Sequence, residues 1–140
     1  MSLAAHYTAV KSRLNSGLLS GAVEEVVRKT PGGEPVRANY VVLGMDMPAL
    51  NDARYLIQQD VSAKARYRFD VRSVAVDRAG VLLIAQAVRE RLIGHVLTVS
   101  NRACDPLRLV EPVEEGRVHY DKAADLFYVD ETFETYSRRG

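Results

Sequence analysis

The stretch RYRFDVRSVAVDRAG, residues 66–80, constrains the fold more than any other part of the chain. Tyr67, Phe69 and Val71 alternate with Arg66, Arg68, Asp70 and Arg72, the period-two pattern of a strand with one apolar and one polar face. At Ser73 the pattern switches: the serine falls on the apolar side, and Val74 and Val76 fall on the arginine side. A strand does not change faces smoothly, so we expect either a bulge near Ser73 or a strand whose later half is covered on both sides. Asp77 follows at once and caps a helix over residues 77–93. In that helix Val81, Ile84, Ala85, Val88 and Leu92 form one stripe, Arg89 and Arg91 sit late, and Gly94 supplies the stop. Leu82 and Leu83 widen the apolar arc beyond what one sheet face requires, which points to a second apolar neighbour.

The remaining segments complete a layered fold. Leu3, Tyr7, Val10, Leu14 and Leu18 recur at spacings of three and four, an amphipathic helix with Ser2 as cap and Gly17 as stop. Two β-prone runs, residues 22–30 and 36–45, flank PGGEP and read as an antiparallel hairpin. Residues 46–64 break the pattern with a proline, Asp-containing turns and a short helical stretch near 53–59. So long a connection inside a compact domain is usually functional, which makes Asp52, Arg54 and Tyr55 candidate contacts for another molecule. After the second helix come the strand-like runs HVLTVS, PLRLVEPV, GRVHY and DLFYVDETFETYS, with DKAAD as a hairpin turn. In the last run Phe127, Val129, Phe133 and Thr135 alternate with Tyr128, Asp130, Thr132 and Glu134. The expectation is one α+β domain over residues 1–140, a mainly antiparallel sheet packed by two helices, with 46–64 as its long loop.

Composition excludes more than it identifies. A chain of 140 residues can bury a core without disulfides or metal. With 19 basic and 18 acidic side chains it lacks the charge of a general nucleic-acid binder, so electrostatic specificity must be local. Cys104 is the only cysteine, which excludes an internal disulfide and fits a reducing compartment; it reads as a small hydrophobe in or beside a strand. The first residues resemble no signal peptide, and no run reaches the roughly 18 apolar residues of a membrane span, so a soluble protein with no membrane partner is expected. His6, His119 and Cys104 show no metal-ligand spacing, and nucleophile-elbow, phosphate-loop and dinucleotide signatures are absent. The carboxylates at Glu114, Glu115, Asp125, Asp130, Glu131 and Glu134 read as a wet acidic surface, because strand spacing puts Asp130 and Glu134 on the polar face. No catalytic residue, metal or cofactor is expected, and an enzyme would need a polar pocket that the sequence does not show.

The arginine row admits three readings. Arg66 and Arg68 lie about 7 Å apart along a strand and Arg72 about 13 Å further, with Asp70 between them. A solvated face is the plainest reading. A small nucleic-acid-binding protein would want more cations and interleaved aromatics there. The third is a subunit interface, since the planar guanidinium fork pairs two-pronged with carboxylates, and Asp130 and Glu134 are the candidate partners. Cations at one place and anions at another suit head-to-tail association, which closes into a ring when the rotation allows.

The order of these features resembles the tail terminator, or tail completion, proteins of long-tailed bacteriophages. The resemblance rests on the first helix, the β-prone pair, the long loop, YRFDVRSVAVDRAGVLLIAQAVRERLIG and the closing HYDKAADLFYVDETFETYSR. Tyr67 to Val76 matches the family's aromatic and valine strand, Asp77 to Ile93 its Asp-led helix with Ala85, Val88 and Leu92 in place, and Phe127 to Tyr136 its aromatic, acidic closing strand. The resemblance implies a ring, hexameric in the family, that caps the finished tail tube, stops further subunit addition and presents its other face to the head connector or stopper protein. It implies location in the tail and neck of a virion made in the host cytoplasm, DNA passing only through the lumen, and no catalysis or cofactor. Another neck or head-tail joining component shares the same size, class and ring habit.

Overall fold

The structure, a computed structural model, describes residues 3–19, 21–33, 38–45, 49–50, 64–110 and 117–139. Helix α1 (Leu3–Leu14) is followed by a 3-10 turn at Gly17–Leu19 and strand β1 (Val23–Glu24). Strands β2 (Tyr40–Met45), β3 (Ala49–Leu50) and β4 (Lys64–Ala75) lead into helix α2 (Arg78–Leu92). Four strands close the chain: β5 (Arg102–Cys104), β6 (Arg108–Val110), β7 (His119–Asp121) and β8 (Leu126–Arg139). The class is α+β, with, among the described residues, a mainly antiparallel 8-stranded sheet.

Strands β4 and β8 form the axis of that sheet. They pair without a skipped residue from Lys64 opposite Arg138 to Ala75 opposite Phe127. The other edge of β4 carries β2 and β3, while the other edge of β8 carries β7, β6 and β5 in succession along its length. The DKAAD turn joins β7 to β8 as expected, with Asp121 Oδ1 accepting from the Ala123 and Ala124 N–H groups and Asp125 at φ 54°.

Alternation along the axis makes two unlike faces. Tyr67, Phe69, Val71 and Ala75 of β4, Val129 and Phe133 of β8, and Val41 and Leu43 of β2 are buried on the helical face. Helix α2 lays the expected Val81, Ile84, Ala85, Val88 and Leu92 against them, and α1 adds Val10 and Leu14. Asp77 caps α2 by accepting from the Gly80 N–H at 2.6 Å. At the other end the Ile93 N–H still bonds the Arg89 carbonyl, and Gly94 at φ 80° turns the chain away, a conformation that favours glycine. Leu82 and Leu83 stay 51% and 56% exposed.

The structure departs from two sequence expectations and decides between the two alternatives left open at Ser73. Residues 22–30 and 36–45 form no antiparallel hairpin: β1 runs parallel to β2, with Val23 opposite Val41 and Glu24 opposite Val42. A tight turn at PGGEP would reverse the chain, but the connection between Glu24 and Tyr40 is long enough to cross over and re-enter in the same direction, as parallel pairing demands. No bulge occurs at Ser73, which stands in register with Val41 and Val129. Instead the later half of β4 is covered on both sides: Ser73 and Ala75 are buried beneath the helices, and Val74 packs outside with Tyr40 and Leu126. HVLTVS forms no strand either. Leu97 and Val99 are buried, but the neighbouring backbone bonds tie Gly94 and His95 to Leu107, so burial alternates there without a ladder. The expected Ser2 cap, the helix near 53–59, the side chains of Leu3 and Leu18, and the contact residues Asp52, Arg54 and Tyr55 lie outside the described residues.

Phe69 and Phe133 stand directly opposite one another, both 0% exposed. Phe133→Ala should therefore destabilise the fold by about 3–5 kcal/mol. The check is the urea midpoint at unchanged slope; a loss under about 1 kcal/mol would contradict this packing.

Candidate functional site

Charge collects on the outer face of β4 and β8, and strand register decides which groups meet. Arg72 stands opposite Asp130 and donates to it from Nε at 2.7 Å and Nη2 at 2.9 Å, a two-pronged pair. Its guanidinium also lies 4.5 Å from the centre of the Tyr128 ring. The hydrogen bond to Asp130 is the main reason Arg72 holds its proton more tightly than an ordinary arginine. Two residues along, Asp70 accepts from Thr132 Oγ1 at 2.8 Å. Gly44 stands opposite Asp70 with no side chain to fill the space, and a groove of about 360 Å³ opens there, edged by Val27, Val42, Arg72, Asp130 and Thr132.

Further toward the start of β4 the balance changes. Arg68 stands opposite Glu134, and β6 brings Arg108 to the other side of the same residue. Glu134 Oε2 accepts from Arg68 Nε at 3.0 Å, Oε1 accepts from Arg108 Nη2, and Arg66 Nε stands 3.9 Å from Oε2. Three arginine side chains thus roof one carboxylate, leaving it 2% exposed on what is otherwise the polar face. Burial alone would push the Glu134 carboxyl up. The hydrogen bonds from Arg108 and Arg68 outweigh it and hold the group below its ordinary 4.5.

The acidic group expected to be wet is therefore divided. Asp130 remains 47% exposed. Glu134 is buried because arginines close over it, and Glu131 is buried because strand parity sends it to the helical face, where Arg89 Nε of α2 donates to it at 2.8 Å. Arg66, Arg68 and Arg72 share the outer face as expected, and their ion pairs with Asp130 and Glu134 are made inside one chain. Sequence reasoning missed Arg108 and Arg89. The alternation of Leu107, Arg108 and Leu109 already placed the Arg108 cation on the face opposite two apolar neighbours.

The remaining polar candidates lie elsewhere. His6 is fully buried beneath α1, stacked 4.0 Å from the Tyr67 ring, with Nε2 2.8 Å from Ser137 Oγ and 3.8 Å from Cys104 Sγ. His119 stacks on Tyr128 at 5.1 Å. Among the described residues, no three His, Cys, Asp or Glu side chains gather as metal ligands, and no helix is long and apolar enough to cross a membrane.

The chain shares its fold with a chain of a gene transfer agent virion. That structure is described as the virion of a native gene transfer agent particle. The match has a TM-score of 0.67 and spans 94% of this chain and 93% of the other at 22% identity. No protein-family model matches the chain, and no curated protein matches it by sequence. The similarity lies in the path of the backbone along nearly the whole length.

Two outcomes follow from the Glu134 cluster. Removing both of its hydrogen-bond donors in Arg68→Met/Arg108→Met strands a buried carboxylate and should destabilise by about 3 kcal/mol, the low end for breaking a buried pair because the guanidiniums are partly in water. Adding Glu134→Leu should recover most of that loss in denaturant melts; no recovery would show that the stranded carboxylate is not its cause. The pH dependence has a definite sign. A carboxyl held below its ordinary value stabilises the fold fully above 4.5 and progressively less as pH falls from there through its folded value. Thermal midpoints should hold from neutral pH to about 5 and then drop, and Glu134→Gln should flatten that drop. An equal drop in the variant would contradict the assignment.

Proposed function

We propose that this protein is a structural component of a phage-like virion, a tail terminator that forms a ring on the finished tail tube, ends its growth and joins it to the head connector. The observation that carries this reading is the fold shared with a gene transfer agent virion chain over nearly the full length of both. The order of strand, Asp-capped helix and long closing strand supports it from the sequence side. A tube grows by repeating one contact, so a subunit that reproduces the lower half of that contact without the upper half stops addition. Capping of this kind requires shape and charge and no chemistry.

In this reading the ring is a homohexamer, and the outer face of β4 and β8 meets the neighbouring copy. Arg66, Arg68 and Arg72 supply cations to that boundary, with Asp130 and Glu134 fixing their guanidiniums in place. A guanidinium has five N–H donors, so one already bonded to its own chain keeps donors for another. Asp52, Arg54 and Tyr55 supply the contact with tube or connector, and DNA passes only through the lumen. The protein acts in the virion, at the neck end of the tail.

Imaging of particles assembled without the protein tests the reading: tails should be overlong and variable in length. Tails of normal length lacking only the head would point to another neck component, and binding of the purified protein to the ends of isolated tubes separates the two, since only a terminator caps them.

A further inference from the structure

The outer face of β4 and β8 is electrically divided. Around the groove, among the described residues, one cation, Arg72, stands with two carboxylates, Asp70 and Asp130, a net of minus one. Around Glu134, among the described residues, three cations stand with one carboxylate, a surplus of two positive charges. Arg138 pairs with Asp105 at 2.9 Å and leaves that surplus unchanged. Both oxygens of Glu134 are already engaged by Arg68 and Arg108. Arg66 is the least satisfied of the three: its Nε is shielded from water and makes no hydrogen bond. The side chains of Arg66 and Arg108 nevertheless remain 33% and 67% exposed, so their outer N–H groups reach solvent. Guanidiniums fixed beside a saturated carboxylate, with donors left over, form a receptor for a further oxyanion.

We infer that Arg66, Arg68 and Arg108 bind the carboxylates of an acidic segment on a protein partner. The surplus is local, which favours a short acidic segment over a nucleic-acid strand. A phosphate backbone following β4 would meet Asp70 about 7 Å beyond Arg68, and then Asp130. The inference rests on the outer face being an interface and narrows it. Arg72 lies at the same boundary with its charge matched by Asp130, while Arg108 of β6 joins Arg66 and Arg68 as the group that docks the acidic segment.

The test uses the intact protein and a fluorescein-labelled octaglutamate peptide, with a labelled thymidine octanucleotide alongside, both followed by anisotropy at low salt. The peptide should bind, and added salt should weaken it. Arg66→Gln and Arg108→Gln should each weaken it about tenfold, the factor carried by one charge-assisted hydrogen bond. Lys122→Gln, in the exposed β7–β8 turn, should bind as the parent does. Arg66→Gln removes no hydrogen bond seen in the structure, so its melting temperature should stay near that of the parent and separate lost binding from lost folding. No peptide binding, an equal loss in Lys122→Gln, or tighter binding of the oligonucleotide would overturn the inference. Peptide binding is read without any virion, so its failure leaves the terminator reading standing, and tails of normal length leave the docking site standing.

Discussion

The unbroken ladder between β4 and β8 is the constraint on which the rest of the structure depends. Because side chains alternate, one register assigns every residue of both strands to a face. Phe69 opposite Phe133 and Tyr67 opposite Thr135 anchor the helical face, and the same register sets Arg68 against Glu134 and Arg72 against Asp130 outside. The apolar requirement of the core thus dictates the ion pairs of the surface. A slip of one residue would carry Phe133 into water and Glu134 beneath α2.

Two buried carboxylates guard that register from opposite sides of the same strand. Glu131 is held by Arg89 from α2, and Glu134 by Arg68 from β4 and Arg108 from β6. Each is expensive to bury, and a well-packed apolar replacement would stabilise the fold as well or better. What an apolar pair lacks is direction: leucines tolerate a slipped strand, whereas a carboxylate moved away from its arginines does not. Both pairs thereby fix β8 against three neighbouring elements, α2, β4 and β6.

The sequence made the axis legible and its surroundings much less so. Period-two alternation at Tyr67, Phe69 and Val71, the Asp77 cap and the stripe from Val81 to Leu92 are local signals, and local signals survive into the fold. The direction of β1 depends on a partner far along the chain, and nothing within residues 22–30 encodes whether it pairs parallel or antiparallel. The burial of Glu134 was hidden for a similar reason, since it requires arginines from β4 and β6 to converge on β8. At Ser73 the alternation correctly marked an anomaly and left its cause open; the cause is the outer cluster of Tyr40, Val74 and Leu126, contributed by three separate strands.

In the proposed reading, function enters through the face that the core leaves outside. One end of it is apolar, the middle is closed by matched pairs, and the far end holds, among the described residues, two more cations than carboxylates. That sequence of surfaces exists only if Arg68 meets Glu134 and Arg72 meets Asp130. The most direct measurement is a set of cross-strand nuclear Overhauser contacts on isotope-labelled protein. The account predicts contacts joining residue 68 to 134 and residue 72 to 130. Contacts joining 68 to 133 or 135, and 72 to 129 or 131, would contradict it, because the β8 carboxylates Asp130 and Glu134 would then belong to the face opposite the arginines.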